Sequence, residues 1–166
     1  MTYRLDSDLQ WRYGCVIPRN KSTTINMSSR WCIDGRTAPY RPLSPPEAAE
    51  VAVPKDRLVA WAVSNCETQS GREEYVEELR RHLSVDVYGR CGELSCSTTD
   101  CRETLGRYKF YLAFENSLCT DYVTEKLFGS IARGLAMVPV VMGGADYARV
   151  LPPGSYIDSR DFDSPK

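Results

Sequence analysis

The stretch Tyr108–Gly144, YKFYLAFENSLCTDYVTEKLFGSIARGLAMVPVVMGG, constrains the fold more than any other part of the chain. Tyr108–Phe114 is dense in aromatic and aliphatic residues, as a buried strand requires. Glu115–Tyr122 is polar and reads as a loop. From Thr124 onward, Leu127, Phe128, Ile131 and Leu135 recur at the spacing of one helix face, and Gly134 and Pro139 bracket the helix end. Val138–Met142 is a short apolar run suited to a strand buried on both sides. Together these form a βαβ unit. Its crossover is right-handed, and its strand-to-helix loop lies at the carboxyl edge of the sheet, where open α/β sheets bind ligands.

A second unit precedes it. Arg57–Asn65 (RLVAWAVSN) is a hydrophobic strand, and Cys66–Gly71 is a polar loop. Ser70 and Glu73 are spaced as a capping box, which predicts a helix from about Gly71 with Tyr75, Val76, Leu79 and Leu83 as its buried stripe. Ser84–Gly89 is the next strand. Arg90–Arg107 reads as an irregular, cysteine-bearing connection. After the central unit come a helix-like Tyr147–Leu151, a Pro-Pro-Gly turn and a last strand near Ser155–Ile157. The expected architecture is α/β, a Rossmann-like doubly wound parallel sheet, occupying residues 57–166. Residues 1–56 read as a segment leading into that domain through a long irregular loop rich in proline after position 38. Within it, Ser44-Pro-Pro-Glu47 predicts a short helix over Pro45–Val51.

Composition excludes several function classes. The 166 residues suffice for one domain with a core, and the net charge of −1 gives no sign of a nucleic-acid or membrane-surface partner. No apolar run approaches the roughly 20 residues of a membrane span, and no signal peptide is visible. The opening Met-Thr-Tyr-Arg-Leu-Asp and the closing Asp163-Ser-Pro-Lys resemble domain interior, so the chain reads as a piece cut at both ends. Seven cysteines point to disulfides in an oxidising compartment, with at least one cysteine left over or paired elsewhere. The spacing of Cys91, Cys96 and Cys101, with one histidine in the chain, does not fit a zinc knuckle. The sequons at Asn20 and Asn26 agree with the secretory route.

The chemistry is expected at two helix starts. Each βαβ unit puts a cation in the first turn of its helix, Arg72 in one and Lys126 in the other. A cation at the positive end of a helix is mildly unfavourable, by about 0.3–1 kcal/mol when exposed, unless an anion sits there too. Backbone N–H groups, dipole and side chain then face one negative group, and a diphosphate could meet both helices. Taken singly, each cation reads more simply as part of a solvated face. Neither a G-x-G-x-x-G nor a Walker A pattern is present, so dinucleotide and P-loop binding are not supported. Glu115, Asn116, Tyr122, Glu125 and Lys126 instead suit a nucleotide sugar, the carboxylate accepting from ribose hydroxyls and Lys126 meeting phosphates. The plain alternatives are a dipole-compatible carboxylate at Glu125 and a packing contact at Tyr122. His82 reads as solvated, and Tyr108, Phe110, Tyr111, Phe114, Trp31 and Trp61 as packing residues. Gly143-Gly144 marks a sharp turn or a close backbone approach, with a sugar one candidate for what approaches. Asp6-Ser-Asp8 is a D-x-D, a pattern that can hold a divalent metal but more often is a solvated turn.

FYLAFENS at Phe110–Ser117 followed by DYVTEKLF at Asp121–Phe128 resembles the signature of the α1,3-fucosyltransferases, glycosyltransferase family 10. The resemblance extends to MTYRLDSD at Met1–Asp8, LVAWAVSN at Leu58–Asn65, VDVYGRCG at Val85–Gly92 and VPVVMGGADYARVLPPGSYI at Val138–Ile157; only positions 14–57 match poorly. It implies the C-terminal, donor-binding half of a GT-B glycosyltransferase. It also implies inverting transfer of L-fucose from GDP-fucose to a GlcNAc hydroxyl of a glycan, within protein glycosylation. Lys126 and Arg72 match the family's cations on the donor diphosphate. Glu125 matches the glutamate that binds donor hydroxyls, Asn116 and Tyr122 line the same site, and main-chain groups around Val63–Asn65, including Ser64 and Asn65, face the guanine. No catalytic residue is expected in this chain, because the family's base lies on the N-terminal acceptor domain. No metal or other cofactor is implied, GT-B enzymes not using a D-x-D metal. The family's members are type II membrane proteins of the Golgi, facing the lumen, so any membrane contact is expected only through an anchor outside this chain. Three other readings stay open: an inactive sugar-nucleotide-binding fragment, a metal-dependent GT-A transferase using Asp6 and Asp8, and a disulfide-stabilised interaction domain.

Overall fold

The computed structural model describes residues 4, 6–7, 13–14, 54–96, 100–132 and 136–166. Five strands form one sheet: β1 (Arg57–Ala62), β2 (Val85–Tyr88), β3 (Tyr108–Phe114), β4 (Val138–Met142) and β5 (Ile157–Asp158). Every pairing is parallel, in the order β2-β1-β3-β4-β5. From β1 the chain winds outward to β2, then returns past β1 to β3 and continues to β4 and β5. The winding direction reverses between β1 and β3, which opens a crevice at their carboxyl ends.

Among the described residues three α-helices make the first three crossovers, α1 (Arg72–Leu79), α2 (Asp100–Gly106) and α3 (Glu125–Ala132), and a 3-10 turn lies on the fourth. Alternation along the strands feeds two cores, one on each face. Val59, Trp61, Leu112 and Phe114 pack with Val76 of α1, flanked by Tyr75, Leu79 and Leu83. Ala60, Tyr111, Ala113 and Val141 pack on the other face with Leu105 of α2 and with Leu127 and Phe128 of α3. The sheet is therefore covered on both sides and doubly wound, as expected. The aromatic residues of β3 and Trp61 are core, while Phe110 is only partly buried. Tyr108 extends the core into a polar seam at the start of β3: its hydroxyl donates to Asp86 at 2.5 Å and meets the Tyr88 hydroxyl at 2.9 Å. Burial, then these two hydrogen bonds, push its phenol well above the usual tyrosine range.

Three local expectations need correction. The connection between β2 and β3 is not irregular throughout; it contains α2, which the sequence signals weakly because its seven residues, about two turns, bury little beyond Leu105. Ser70 does not cap α1. Gly71 takes the cap position at φ 70°, which only glycine adopts freely, so the helix begins one residue later and Ser70 falls out of reach of its N–H groups. Thr68 takes Glu73 instead, its Oγ1 donating to Oε2 at 2.8 Å, while Ser70 Oγ pairs with Thr68 Oγ1 at 3.0 Å. The segment at Tyr147–Arg149 is a 3-10 turn rather than an α-helix, and the last strand is the two-residue β5. The short helix over Pro45–Val51, both sequons, Trp31, Asp8, Ile131's side chain and Leu135 lie outside the described residues.

Among the described residues two disulfides join Cys66 to Cys91 and Cys96 to Cys101, and Cys119 is free and exposed. The first staples the loop after β1 to the loop after β2, both at the carboxyl edge. No helix among the described residues is long and apolar enough to cross a membrane.

Candidate functional site at the carboxyl edge of β1 and β3

The loops after β1 and β3 leave the sheet side by side, and each leads into a helix whose first turn holds one of the two cations. The structure brings Arg72 and Lys126 to this one edge, and neither lies on a solvated helix face. Their surroundings differ.

Arg72 is buried, its side chain 3 % exposed. Nη1 donates to the carbonyl of Phe114 at 2.9 Å, Nη2 to the carbonyl of Asn65 at 2.7 Å, and Nε to Glu73 Oε1 at 3.0 Å. Its guanidinium also lies over the Trp61 ring, 5.7 Å from the centroid. The planar fork thus ties the carbonyl end of β3 to the loop after β1. Burial pushes Glu73 up, but the hydrogen bonds from Arg72 and Thr68 outweigh it and hold its carboxyl below the usual range. The rest of this loop is equally engaged. Val63 N–H donates to Tyr88, the Val63 carbonyl accepts from Cys91 N–H, and the Ser64 carbonyl accepts from Arg90 Nε at 3.0 Å. The carbonyls of Val63, Ser64 and Asn65 each already accept a hydrogen bond from within the protein.

Lys126 is 20 % exposed and sits in the first turn of α3. Its Nζ lies 2.8 Å from Thr124 Oγ1, 3.2 Å from Glu115 Oε2 and 3.2 Å from Glu125 Oε1. Glu115 is only 1 % exposed. Its Oε1 accepts from the N–H of Thr124 at 2.7 Å, and the Thr124 hydroxyl lies 3.0 and 2.8 Å from its two oxygens. The negative group expected at this helix start is the protein's own buried carboxylate, Glu115. Thr124 in turn caps α3, its carbonyl accepting from Leu127 and Phe128 N–H groups. In the sequence Glu115 reads only as one of the loop residues. The one available signal is a carboxylate directly after the buried apolar run Tyr111–Phe114, where a charge must find partners to be tolerated.

Glu125 points outward, its side chain 63 % exposed. Burial raises its carboxyl, but its own backbone N–H and the Lys126 charge bring it below the usual range. Glu125 and Lys126 line a shallow depression together with Ala62, Leu105, Tyr111, Gly129 and Ser130. Tyr122 donates to Asn116 Oδ1 at 3.1 Å, so these two expected site residues do meet, on the same loop. Burial first, and then the nearby carboxylates against the opposing pull of Lys126, push the Tyr122 phenol up.

Gly143-Gly144 is a close backbone approach, as expected, but what approaches is the chain itself. A Cβ on Gly144 would lie 2.5 and 2.6 Å from the carbonyl oxygens of Leu118 and Cys119, and Thr120 pairs with Gly144 as an isolated bridge. The sugar is not needed to explain these glycines. His82 is on the surface beside Glu78, at 3.4 Å. Both oxygens of Asp6 accept from Arg4, at 2.8 and 2.6 Å, on an exposed turn, and no cluster of metal-ligating side chains occurs among the described residues.

Residues 52–166 match the sequence model of glycosyltransferase family 10 (fucosyltransferase), C-terminal part. Alpha-(1,3)-fucosyltransferase C of Drosophila melanogaster is 45% identical over 171 residues, covering 98% of this chain and 38% of that protein. The 3-galactosyl-N-acetylglucosaminide 4-alpha-L-fucosyltransferase FUT3 of Homo sapiens is 44% identical over 168 residues, covering 100% of this chain and 40% of that protein. The chain thus spans about two fifths of the length of the curated relatives it matches. A crystal structure of an alpha1,3-fucosyltransferase with GDP-fucose superimposes with a TM-score of 0.59 at 25% identity, over 70% of this chain and 34% of that one. The doubly wound parallel sheet, the loop sequence that holds Glu115 and Lys126, and the matches across nearly the whole chain agree: the chain belongs to the fucosyltransferases of glycosyltransferase family 10.

Proposed function

We propose that residues 57–166 form the donor-binding unit of an inverting α1,3-fucosyltransferase, and that the donor is GDP-fucose. The observation that carries this reading is Lys126, fixed at the switch-point edge of a sheet whose family relatives are fucosyltransferases and whose structural neighbour was crystallised with GDP-fucose. Lys126 meets the diphosphate, Glu125 accepts from fucose hydroxyls, Asn116 and Tyr122 border the sugar, and the backbone of Ser64 and Asn65 borders the guanine. Arg72 acts on the diphosphate through whichever of its five N–H groups the protein leaves over, three being donated within the fold.

In the reaction, the bond between fucose C1 and the donor phosphate oxygen breaks and a bond from C1 to a GlcNAc oxygen forms on the opposite face. The acceptor proton passes to a carboxylate base on the acceptor domain. Lys126 stabilises the negative charge that develops on the departing GDP. No metal takes part. The acceptor is a GlcNAc-bearing glycan, and the setting is the Golgi lumen, where disulfides such as Cys66–Cys91 persist.

The test is calorimetric titration with GDP-fucose, with UDP-galactose as control, with and without chelator. Selective, chelator-insensitive binding that weakens on the order of tenfold or more in Lys126→Ala supports the reading, since a charged hydrogen bond contributes about 1.5–3 kcal/mol. Unchanged affinity in Lys126→Ala sinks the assignment of Lys126. Loss of binding under chelator would turn the reading toward a metal-dependent transferase.

A further inference from the structure

The lysine ammonium has three N–H groups, and at Lys126 all three have an acceptor: Thr124 Oγ1, Glu115 Oε2 and Glu125 Oε1. A diphosphate can reach this nitrogen only by displacing one of them. The three are not equal. Glu125 is 63 % exposed, and an exposed ion pair contributes little because water replaces it readily. Glu115 is 1 % exposed, and stripping its partner would leave a charge buried without compensation. The surroundings keep it dry. A Cβ on Gly143 would run into the Tyr147 hydroxyl and lie 3.3 Å from Glu115 Cγ, so backbone, phenol and carboxylate are packed together. Tyr147 Oη is itself buried with no hydrogen-bond partner among the described residues.

We infer that Glu115 is a positioning residue of the donor site: with Thr124 it holds the Lys126 ammonium at the start of α3, and Glu125 is the acceptor that gives way to the donor. This rests on the donor-site reading above. The exchange couples two events. When the diphosphate takes the third N–H, the Glu125 carboxylate is released beside it and becomes free to accept from sugar hydroxyls. Glu115 does not touch the donor. It acts through Lys126, as an anion that the fold supplies in advance so that the ammonium is not left to wander on a flexible stem.

The experiment uses the full chain and reads the dissociation constants of GDP and GDP-fucose by calorimetry for five proteins: wild type, Glu115→Gln, Lys126→Ala, the double variant of these two, and Glu125→Gln. A glutamine keeps the shape but cannot accept at once from the Thr124 amide and from Lys126. Glu115→Gln is expected to weaken both ligands about tenfold in the Lys126 protein and by less than about twofold in the Lys126→Ala background, because the coupling runs through that one nitrogen. Glu125→Gln is expected to leave GDP affinity within about twofold and to weaken GDP-fucose alone. Equal weakening by Glu115→Gln in both backgrounds would mean a merely structural role and overturns the inference, as would no weakening at all. Should Glu115→Gln fail to fold, Glu115→Asp, which keeps the charge one methylene short, is put through the same two backgrounds and decided by the same rule. If Lys126→Ala by itself binds GDP-fucose normally, it is the donor-site reading that fails; if it weakens binding while Glu115→Gln does not, only the positioning role falls.

Discussion

The loop after β1 and the loop after β3 start from the same plan and end differently. Each leaves a buried parallel strand, crosses a polar stretch and enters a helix with a cation in its first turn. In the first loop the cation is Arg72, and both arms of its fork donate to main-chain carbonyls, those of Phe114 and Asn65. The carbonyls of residues 63–65 are all engaged, and Cys66 is bonded to Cys91. In the second loop the cation is Lys126, held by one buried and one exposed carboxylate, and its cysteine, Cys119, is free. The first loop is closed upon itself and the second keeps one exchangeable partner at the surface. A guanidinium can brace two strands because it presents several donors in a rigid plane; an ammonium on a flexible stem is better suited to trade one acceptor for another.

The strongest way to break this contrast is to remove the brace. Arg72→Ala leaves the carbonyls of Phe114 and Asn65 without their donor in a buried site, and is expected to cost about 4 kcal/mol in urea unfolding. Arg72→Lys should recover only part of it, since one ammonium cannot span both carbonyls. A loss below about 1 kcal/mol for Arg72→Ala would show that the first loop is not braced by it. Next, replacing Cys66 and Cys91 by alanine removes a cross-link 25 residues apart, an expected loss of about 3 kcal/mol that the same unfolding experiment measures. Against the second loop, Gly144→Ala after β4 drives a methyl into the carbonyls of Leu118 and Cys119, which are backbone and cannot swing aside. About 2 kcal/mol of destabilisation is expected, with the thermal midpoint falling accordingly.

The smallest effect is on pH dependence and compares one carboxylate from each loop. Glu73 and Glu125 both have folded-state values held below the ordinary one of 4.5. The folded state therefore binds their protons less readily than the unfolded state does. Their contribution to stability is complete above pH 4.5 and is lost as pH falls through the depressed values. Glu73 is 20 % exposed and Glu125 is 63 % exposed, so solvent screens the second more. Thermal midpoints followed from pH 6 down to about 3 should show a shallower acid limb in Glu73→Gln than in Glu125→Gln. The reverse order would mean that the first loop is the looser of the two.

Much of this arrangement is legible in the sequence. The strands at Arg57, Val85, Tyr108 and Val138 announce themselves as short apolar runs between polar loops, and Leu127 and Phe128 mark the inner face of α3. The helix α2 is not legible there, because seven residues with one deeply buried leucine carry too little periodicity. The cap of α1 differs from the sequence expectation because Ser70 and Glu73 satisfy a spacing rule while Gly71 φ decides the geometry. For the site, both cations were picked out, but as equals. Their spacing from the strand ends is similar, and nothing in a one-dimensional pattern says which carbonyls a guanidinium will reach across two strands.

What the sequence determined by itself is the alternation of strand and helix, the edge of the sheet where ligands belong, and the residue types gathered there. Those are set by short-range rules: periodicity, turn residues and the handedness of parallel crossovers. What only the tertiary structure decided is which charges meet. Glu115 lies one residue beyond β3 and nine before Thr124, and it becomes the anion of α3 only because the loop folds back over it. Arg72 is 42 residues from Phe114, and the two are brought together by the pairing of β1 with β3. A buried charge takes whichever partners the fold brings within about 3 Å, because leaving it alone costs more than any local preference can offset.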